Sequence, residues 1–178
     1  MKIGLARHFQ ISHSTLPLMG ARGFSEWINW YDTCEVHSRP VPVAGLDWHR
    51  CLSSDLPRAI FTAEYLYAGK VEQTPLLREV PFSPYFGGER HMPLFLWQVT
   101  SRWGWLQNHK SQTEGRLKTK TRISGFLDLL MTSRSDQNIL LVSHGFFMQF
   151  LAMELRKRGF QGRVPLRPRG GIIYLFEK

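Results

Sequence analysis

Four short stretches of the chain hold residue types that suit one chemistry if they are brought together. They are Arg7-His8, the run Ser53-Ser54-Asp55-Leu56-Pro57-Arg58, Leu77-Arg78-Glu79, and Ser143-His144-Gly145. Between them they supply arginines, two histidines and a carboxylic acid. Moving a phosphoryl group without a metal ion needs that set: cations to hold a dianion, a nucleophile to attack phosphorus, and an acid to protonate the leaving oxygen. Arginine suits the first task because its planar fork gives two parallel hydrogen bonds to phosphate oxygens and stays charged. Histidine suits the second because a neutral imidazole nitrogen is nucleophilic near neutral pH.

The surrounding pattern says how the four stretches could meet. Residues 2–7 read as a short buried strand, with Ile3 and Leu5 set around the small Gly4 and Ala6. Residues 10–23 read as a loop. Ser25 is placed to cap a helix carrying Trp27, Trp30, Tyr31 and Cys34 at i, i+3, i+4 and i+7, most simply a core-facing stripe. Pro40 and Pro42 mark an extended stretch. A strand is expected over 47–52, a helix capped by Ser54 or Asp55 with Pro57 early in it, and a strand over 71–77. A Pro- and Gly-rich loop over 81–93 precedes helices near 93–108 and 113–133. The clearest strand, 138–143, leads into a helix ending near 158, and an apolar strand closes the chain over 170–177. Strands alternating with helices predict an α/β three-layer sandwich with a mostly parallel central sheet. Ligands in such sheets lie beyond the carboxyl ends of the strands, which is where all four stretches fall.

With 178 residues, 43% of them apolar and 21% charged, the chain fits one globular domain, 1–178, rather than a disordered or collagen-like polymer. No apolar run is long enough for a bilayer, and Arg7-His8 interrupts any signal-peptide core. Cys34 and Cys51 make no disulfide framework, so a reducing, cytoplasmic setting is expected, with a single bridge left open. No HxH, HExxH, CxxC or GxxxxGK[ST] pattern supports a metal or a nucleotide loop, and no cofactor is expected.

The four blocks, in this order, resemble the signatures of the histidine phosphatase (phosphoglycerate mutase-like) superfamily. Arg7-His8 is similar to its RHG motif, Ser53 to Ala63 to its SSxLxRAxxTA block, Leu77-Arg78-Glu79 to its L-x-E element, and Val142-Ser143-His144-Gly145 to its VSHG. The resemblance implies a phosphoglycerate mutase-like fold and a metal-independent phosphatase. His8 would be the nucleophile, forming a phosphohistidine that water then hydrolyses. Arg7 and Arg58 would clamp the phosphoryl oxygens, with His144 completing the pocket and stabilising charge. Glu79 would be the general acid, with Glu89 as its rival in the same loop. Backbone N–H groups after Gly145 could add anion donors.

Three departures from that pattern shape further expectations. Phe9 replaces the motif glycine, which implies a different loop path or an aromatic wall at the pocket, and it could block His8. Ser14, beside His13, takes the place of a frequent Asn and is a possible rim contact, as is Arg90. The segment Val80-Pro81-Phe82-Ser83-Pro84-Tyr85 would rim the pocket and suggests an organic leaving group. A neutral carboxyl at Glu79 would give a mildly acidic optimum with alkyl esters.

Charge supplies the competing readings. The formal net charge is +9, and almost all of it falls in residues 110–178, where 13 Lys/Arg face 5 Asp/Glu. A solvated basic face is the plain reading; steering of anionic substrates, a phosphoprotein substrate and nucleic-acid binding are the functional ones. A non-catalytic phosphate-binding or regulatory module, fed by Phe9, is a second class. The resemblance implies that mutase activity is the less expected reading, since the chain is short for a mutase of that family.

Overall fold

The computed structural model describes residues 1–11, 18–34, 36, 47–88, 90–132 and 137–178. Its frame is a six-stranded sheet made from β1 (Lys2–Arg7), β2 (Arg50–Ser54), β3 (Val71–Thr74), β4 (Ile139–Ser143), β5 (Gln161–Gly162) and β6 (Ile173–Glu177). The strand order is β3-β2-β4-β1-β6-β5. The first four strands in that order run parallel, and β6 and β5 join antiparallel beside β1. The sheet is therefore mostly parallel, with an antiparallel edge.

Alternation along the central strands builds two cores. Ile3, Leu5, Ile139 and Leu141 face one side, packing with α4 (Arg116–Thr132) and α5 (Gly145–Lys157). Ala6, Leu140, Val142 and Cys51 face the other, under Ala59, Ala63 and Leu66 of α2 (Pro57–Leu66). This is the expected helix–sheet–helix sandwich. Position 4 falls on the second face by the same alternation, and glycine suits it because a Cβ there would run into the Trp48 indole.

Several boundaries differ from the sequence reading for local reasons. α1 (Ala21–Thr33) starts ahead of Ser25, whose hydroxyl donates back to the Ala21 carbonyl instead of capping the helix. Trp27 and Tyr31 do face inward, but Trp30 is exposed on the flank of the stripe. The second strand begins at Arg50, after the predicted start. β3 stops at Thr74 because Pro75 has no N–H for the ladder; a 3₁₀ turn, Pro75–Leu77, follows, its Leu76 N–H held by Thr74 Oγ1. α2 has no side-chain cap on its own N-terminus, although Ser54 Oγ accepts from Leu56 N. α3 (Leu94–Leu106) matches the expected helix within two residues at each end. The Pro40–Pro42 stretch, His13, Ser14 and Glu89 lie outside the described residues. Among the described residues, no helix is long and apolar enough to cross a membrane.

Cys34 and Cys51 are both free thiols. Burial pushes the Cys51 thiol up to about 12, which makes it a small apolar side chain at neutral pH.

Candidate active site

The parallel strands β1, β2 and β4 end together, at the point where the chain reverses its direction of progress across the sheet. Arg7 closes β1 and His8 follows it, its N–H held by the Ser143 carbonyl at 3.0 Å. Ser54 closes β2, and Arg58 projects from the first turn of α2. His144 joins β4 to α5. The Ser143 hydroxyl donates to the Leu77 carbonyl at 2.7 Å, tying the turn that carries Glu79 to the same end of the sheet.

Side-chain geometry brings these residues into one cluster. The rings of His8 and His144 lie 5.0 Å apart, and Arg58 Nε donates to His144 Nδ1 at 3.3 Å. Arg7, His8, Arg58, Glu79 and His144 all line one cleft of about 950 Å³. His8 and Arg58 are 2% and 1% exposed, so they form its floor.

Hydrogen-bond partners fix both tautomers. The Phe9 carbonyl can only accept, so His8 Nδ1 carries the proton and donates at 2.6 Å. The neutral ring therefore keeps its lone pair on Nε2. Burial above all, then the charges of Arg58 and Arg7, lower His8 to about 3, so it is neutral at any ordinary pH. Arg58 Nε can only donate, so His144 Nδ1 accepts and His144 Nε2 donates to Ser54 Oγ at 2.9 Å. Burial, the nearby His8 and the arginines hold His144 well below the ordinary histidine range.

Arg58 is anchored by two residues to which no sequence signal pointed. Its Nη1 donates to the Tyr31 carbonyl at 2.9 Å and its Nη2 to Asp32 Oδ1 at 3.0 Å, while its plane lies over the Tyr31 ring. The last turn of α1 thus counterbalances a guanidinium that burial would otherwise penalise heavily. Arg7 donates from Nη1 to the Pro168 carbonyl, and its buried Nε has no acceptor. An anion in the cleft could supply one.

Glu79 occupies an unexpected position. Its Oε1 accepts from Val80 N and Phe147 N at 2.9 Å each, and its Oε2 accepts from Phe146 N at 3.1 Å. Two N-terminal N–H groups of α5, those of Phe146 and Phe147, which could have added anion donors, are therefore taken by this carboxylate. Oε2, with one backbone donor, is the less committed of the two oxygens.

Phe9 is neither a wall nor a plug. It is 1% exposed, absent from the cleft lining, and packed edge-on against Phe61 and Tyr65 of α2. Gly171 makes room for its ring, which a Cβ there would strike, while Gly170 lets the chain pass close to the backbone, a Cβ there falling 2.7 Å from the His8 carbonyl oxygen and 2.8 Å from Phe9 Cα. Arg90 is also off the cleft, exposed over the Phe86 ring. Of the aromatics at 82–85, Phe82 lines the cleft, whereas Tyr85 packs on Phe86 and His109. Arg102, Trp103 and the 166–168 tail line the cleft too, and no motif marks them in the sequence.

A family model described as the histidine phosphatase superfamily (branch 1) matches residues 41–167. That span includes Arg58, Glu79 and His144 but not Arg7 or His8. No curated protein matches the chain. Solved structures do. The alpha-ribazole phosphatase from Shigella flexneri is 22% identical with a TM-score of 0.58, over 98% of this chain and 89% of that one. A phosphoserine phosphatase mutant from Entamoeba histolytica in complex with phosphoserine is 15% identical with a TM-score of 0.56, over 99% and 90%. The phosphoglycerate mutase from Bacillus anthracis str. Sterne is 18% identical with a TM-score of 0.57, over 98% and 86%. At these identities the likeness establishes the fold.

Proposed function

The chain belongs to the histidine phosphatase superfamily, and we propose that it hydrolyses a phosphomonoester without a metal, through a phosphohistidine on His8. The observation that carries this reading is the state of His8. Its Nδ1–H is committed to the Phe9 carbonyl, so a neutral Nε2 remains beside two arginines at the floor of a cleft.

In the first step Nε2 attacks phosphorus as the ester oxygen leaves. Arg7 and Arg58 bind the equatorial oxygens, and their charges compensate the dianion as it reaches the buried floor. The imidazolium formed on phosphorylation keeps its Nδ1–H bond to Phe9. His144, neutral and bonded at both nitrogens, orients Arg58; turning Nε2–H from Ser54 to the phosphoryl group would let it share the developing charge. Glu79 is the general acid of this step, passing a proton through Oε2 to the leaving oxygen. Water then attacks the phosphohistidine, with Glu79 as its base, and inorganic phosphate departs.

Phe82, Trp103 and Phe150 on the cleft walls support an organic leaving group over a small bare one. Phe9, the feature that favoured a non-catalytic module, packs away from the cleft.

Hydrolysis of p-nitrophenyl phosphate in the presence of a chelator tests the reading. It should be lost in His8→Ala to the background rate. Glu79→Gln should slow the first, phosphorylating step on alkyl esters by at least about a hundredfold but spare the burst of nitrophenolate, whose anion leaves without a proton; the second step, in which Glu79 is the base, should slow for both esters. Full turnover by His8→Ala would refute the assignment, and equal losses in the first step on both esters would remove Glu79 as the acid.

A further inference from the structure

Arg102 is a second cationic group in the cleft, outside the cluster at the strand ends. It projects from the middle of α3 and lines the same cleft as His8 and Glu79. Its guanidinium is stacked between two aromatic faces, 3.9 Å from the Phe82 ring centre and 4.0 Å from that of Phe146. One Nη1–H donates to the Val80 carbonyl at 2.9 Å. Among the described residues no carboxylate lies within ion-pair distance of it; Glu79 and Glu114 act on it only through space. Burial lowers it to about 10, which leaves it cationic at neutral pH.

A guanidinium clamped on both faces can interact with a ligand only through its edge. With Nη1 anchored to Val80, the Nε and Nη2 edge makes no hydrogen bond to any described residue. That edge is a planar two-donor fork, the shape that matches a carboxylate or a phosphoryl group. The rings fix its orientation before any ligand arrives, so little side-chain entropy is lost on binding. A purely structural arginine would be expected to direct both forks at protein acceptors, as Arg122 does by bonding Glu114 and the carbonyls of Leu76 and Arg78.

Resting on the phosphatase reading, we propose that Arg102 binds a second oxyanion, a carboxylate or phosphoryl group, carried on the alcohol part of the substrate. Arg102 neighbours Glu79, the group assigned to the leaving oxygen, so the second oxyanion belongs to the leaving group. The substrate class is then a phosphomonoester of an anionic alcohol.

Phenyl phosphate, the three carboxyphenyl phosphates, the matching carbamoylphenyl phosphates and a phenylene bisphosphate form the test panel. The carbamoyl esters keep the substitution pattern but not the charge. At least one carboxyphenyl isomer, or the bisphosphate, should exceed its neutral counterpart in kcat/KM by about tenfold or more, the size of one charge-assisted hydrogen bond. Which of the two does so identifies the oxyanion. Arg102→Gln should collapse that ratio toward one, and Arg102→Lys should keep part of it. Melting temperatures of the variants show whether they are folded. Calorimetric binding of the same esters to the His8→Ala protein reads the ratio independently of turnover, so a protein that binds but does not hydrolyse would sink the phosphatase reading and still decide this one. Equal losses on anionic and neutral esters in Arg102→Gln, or no anionic preference in the parent protein, would overturn the assignment.

Discussion

The imidazole of His8 is held neutral by its surroundings, and that has a consequence for stability. Its proton affinity falls from the ordinary 6.5 to about 3 on folding, chiefly through burial, and His144 falls in the same direction. Below pH 6.5 the unfolded chain therefore takes up protons that the folded chain refuses. The stabilisation is complete above that pH and is lost as the pH falls toward 3, by up to about 1.4 kcal/mol per pH unit for each histidine. Urea midpoints should drop from pH 7.5 to pH 5, and His8→Gln should flatten that slope. A midpoint unchanged over this range would mean that the rings are not buried neutral. The two partners of Arg58 also belong to this scale. Asp32 stands 26 residues before Arg58, on a helix that the sequence marks only as amphipathic, so nothing in the chain announces the pair.

At the scale of elements, the Phe9 departure has a structural complement. Gly171 has φ +76°, and a side chain there would meet the Phe9 ring. Gly171→Ala should destabilise the protein by about 1–3 kcal/mol, from overpacking and backbone strain together. In a Phe9→Ala background the overpacking part should vanish, leaving a coupling energy that a double-mutant cycle of denaturation midpoints can read. Strict additivity would show that the two do not touch. The same example shows what was legible in advance. Strands β1 and β4, with every second residue apolar toward each face, were readable because the period is local. The cluster at their ends was readable because each member sits in a short block of its own. The direction of Phe9 was not, because the glycine that accommodates its ring lies 162 residues further on. Nor was the Glu79 cap on α5, since a carboxylate and the helix end it faces are brought together only by the sheet.

For the whole molecule, the net charge of +9 divides into inward and outward parts. Arg122 bonds Glu114, and Arg158 ties α5 to Asp128 and Ser124 of α4, so two members of the basic third hold the fold together. Arg167, by contrast, is exposed on the cleft lining. The outward charges should steer dianionic esters inward. kcat/KM should therefore fall several-fold as ionic strength rises from about 0.01 M to about 0.1 M, where the screening length shrinks from about 30 to about 10 Å. Arg167→Glu should lower kcat/KM further at low salt and converge with the parent at high salt. A rate indifferent to salt would confine the basic face to solubility. The family match itself begins at residue 41, beyond the first strand, so the place of Arg7 and His8 in the site rests on the way β1 pairs beside β4.

The most direct test is to catch the covalent intermediate. The enzyme would be mixed with a phosphate-labelled aryl ester, quenched with alkali within a turnover, and digested for peptide sequencing by mass spectrometry. The label should lie on the imidazole of His8, form in a burst no slower than turnover, and disappear in His8→Ala. Label on His144, or steady turnover with no alkali-stable phosphopeptide at any quench time, would contradict the account.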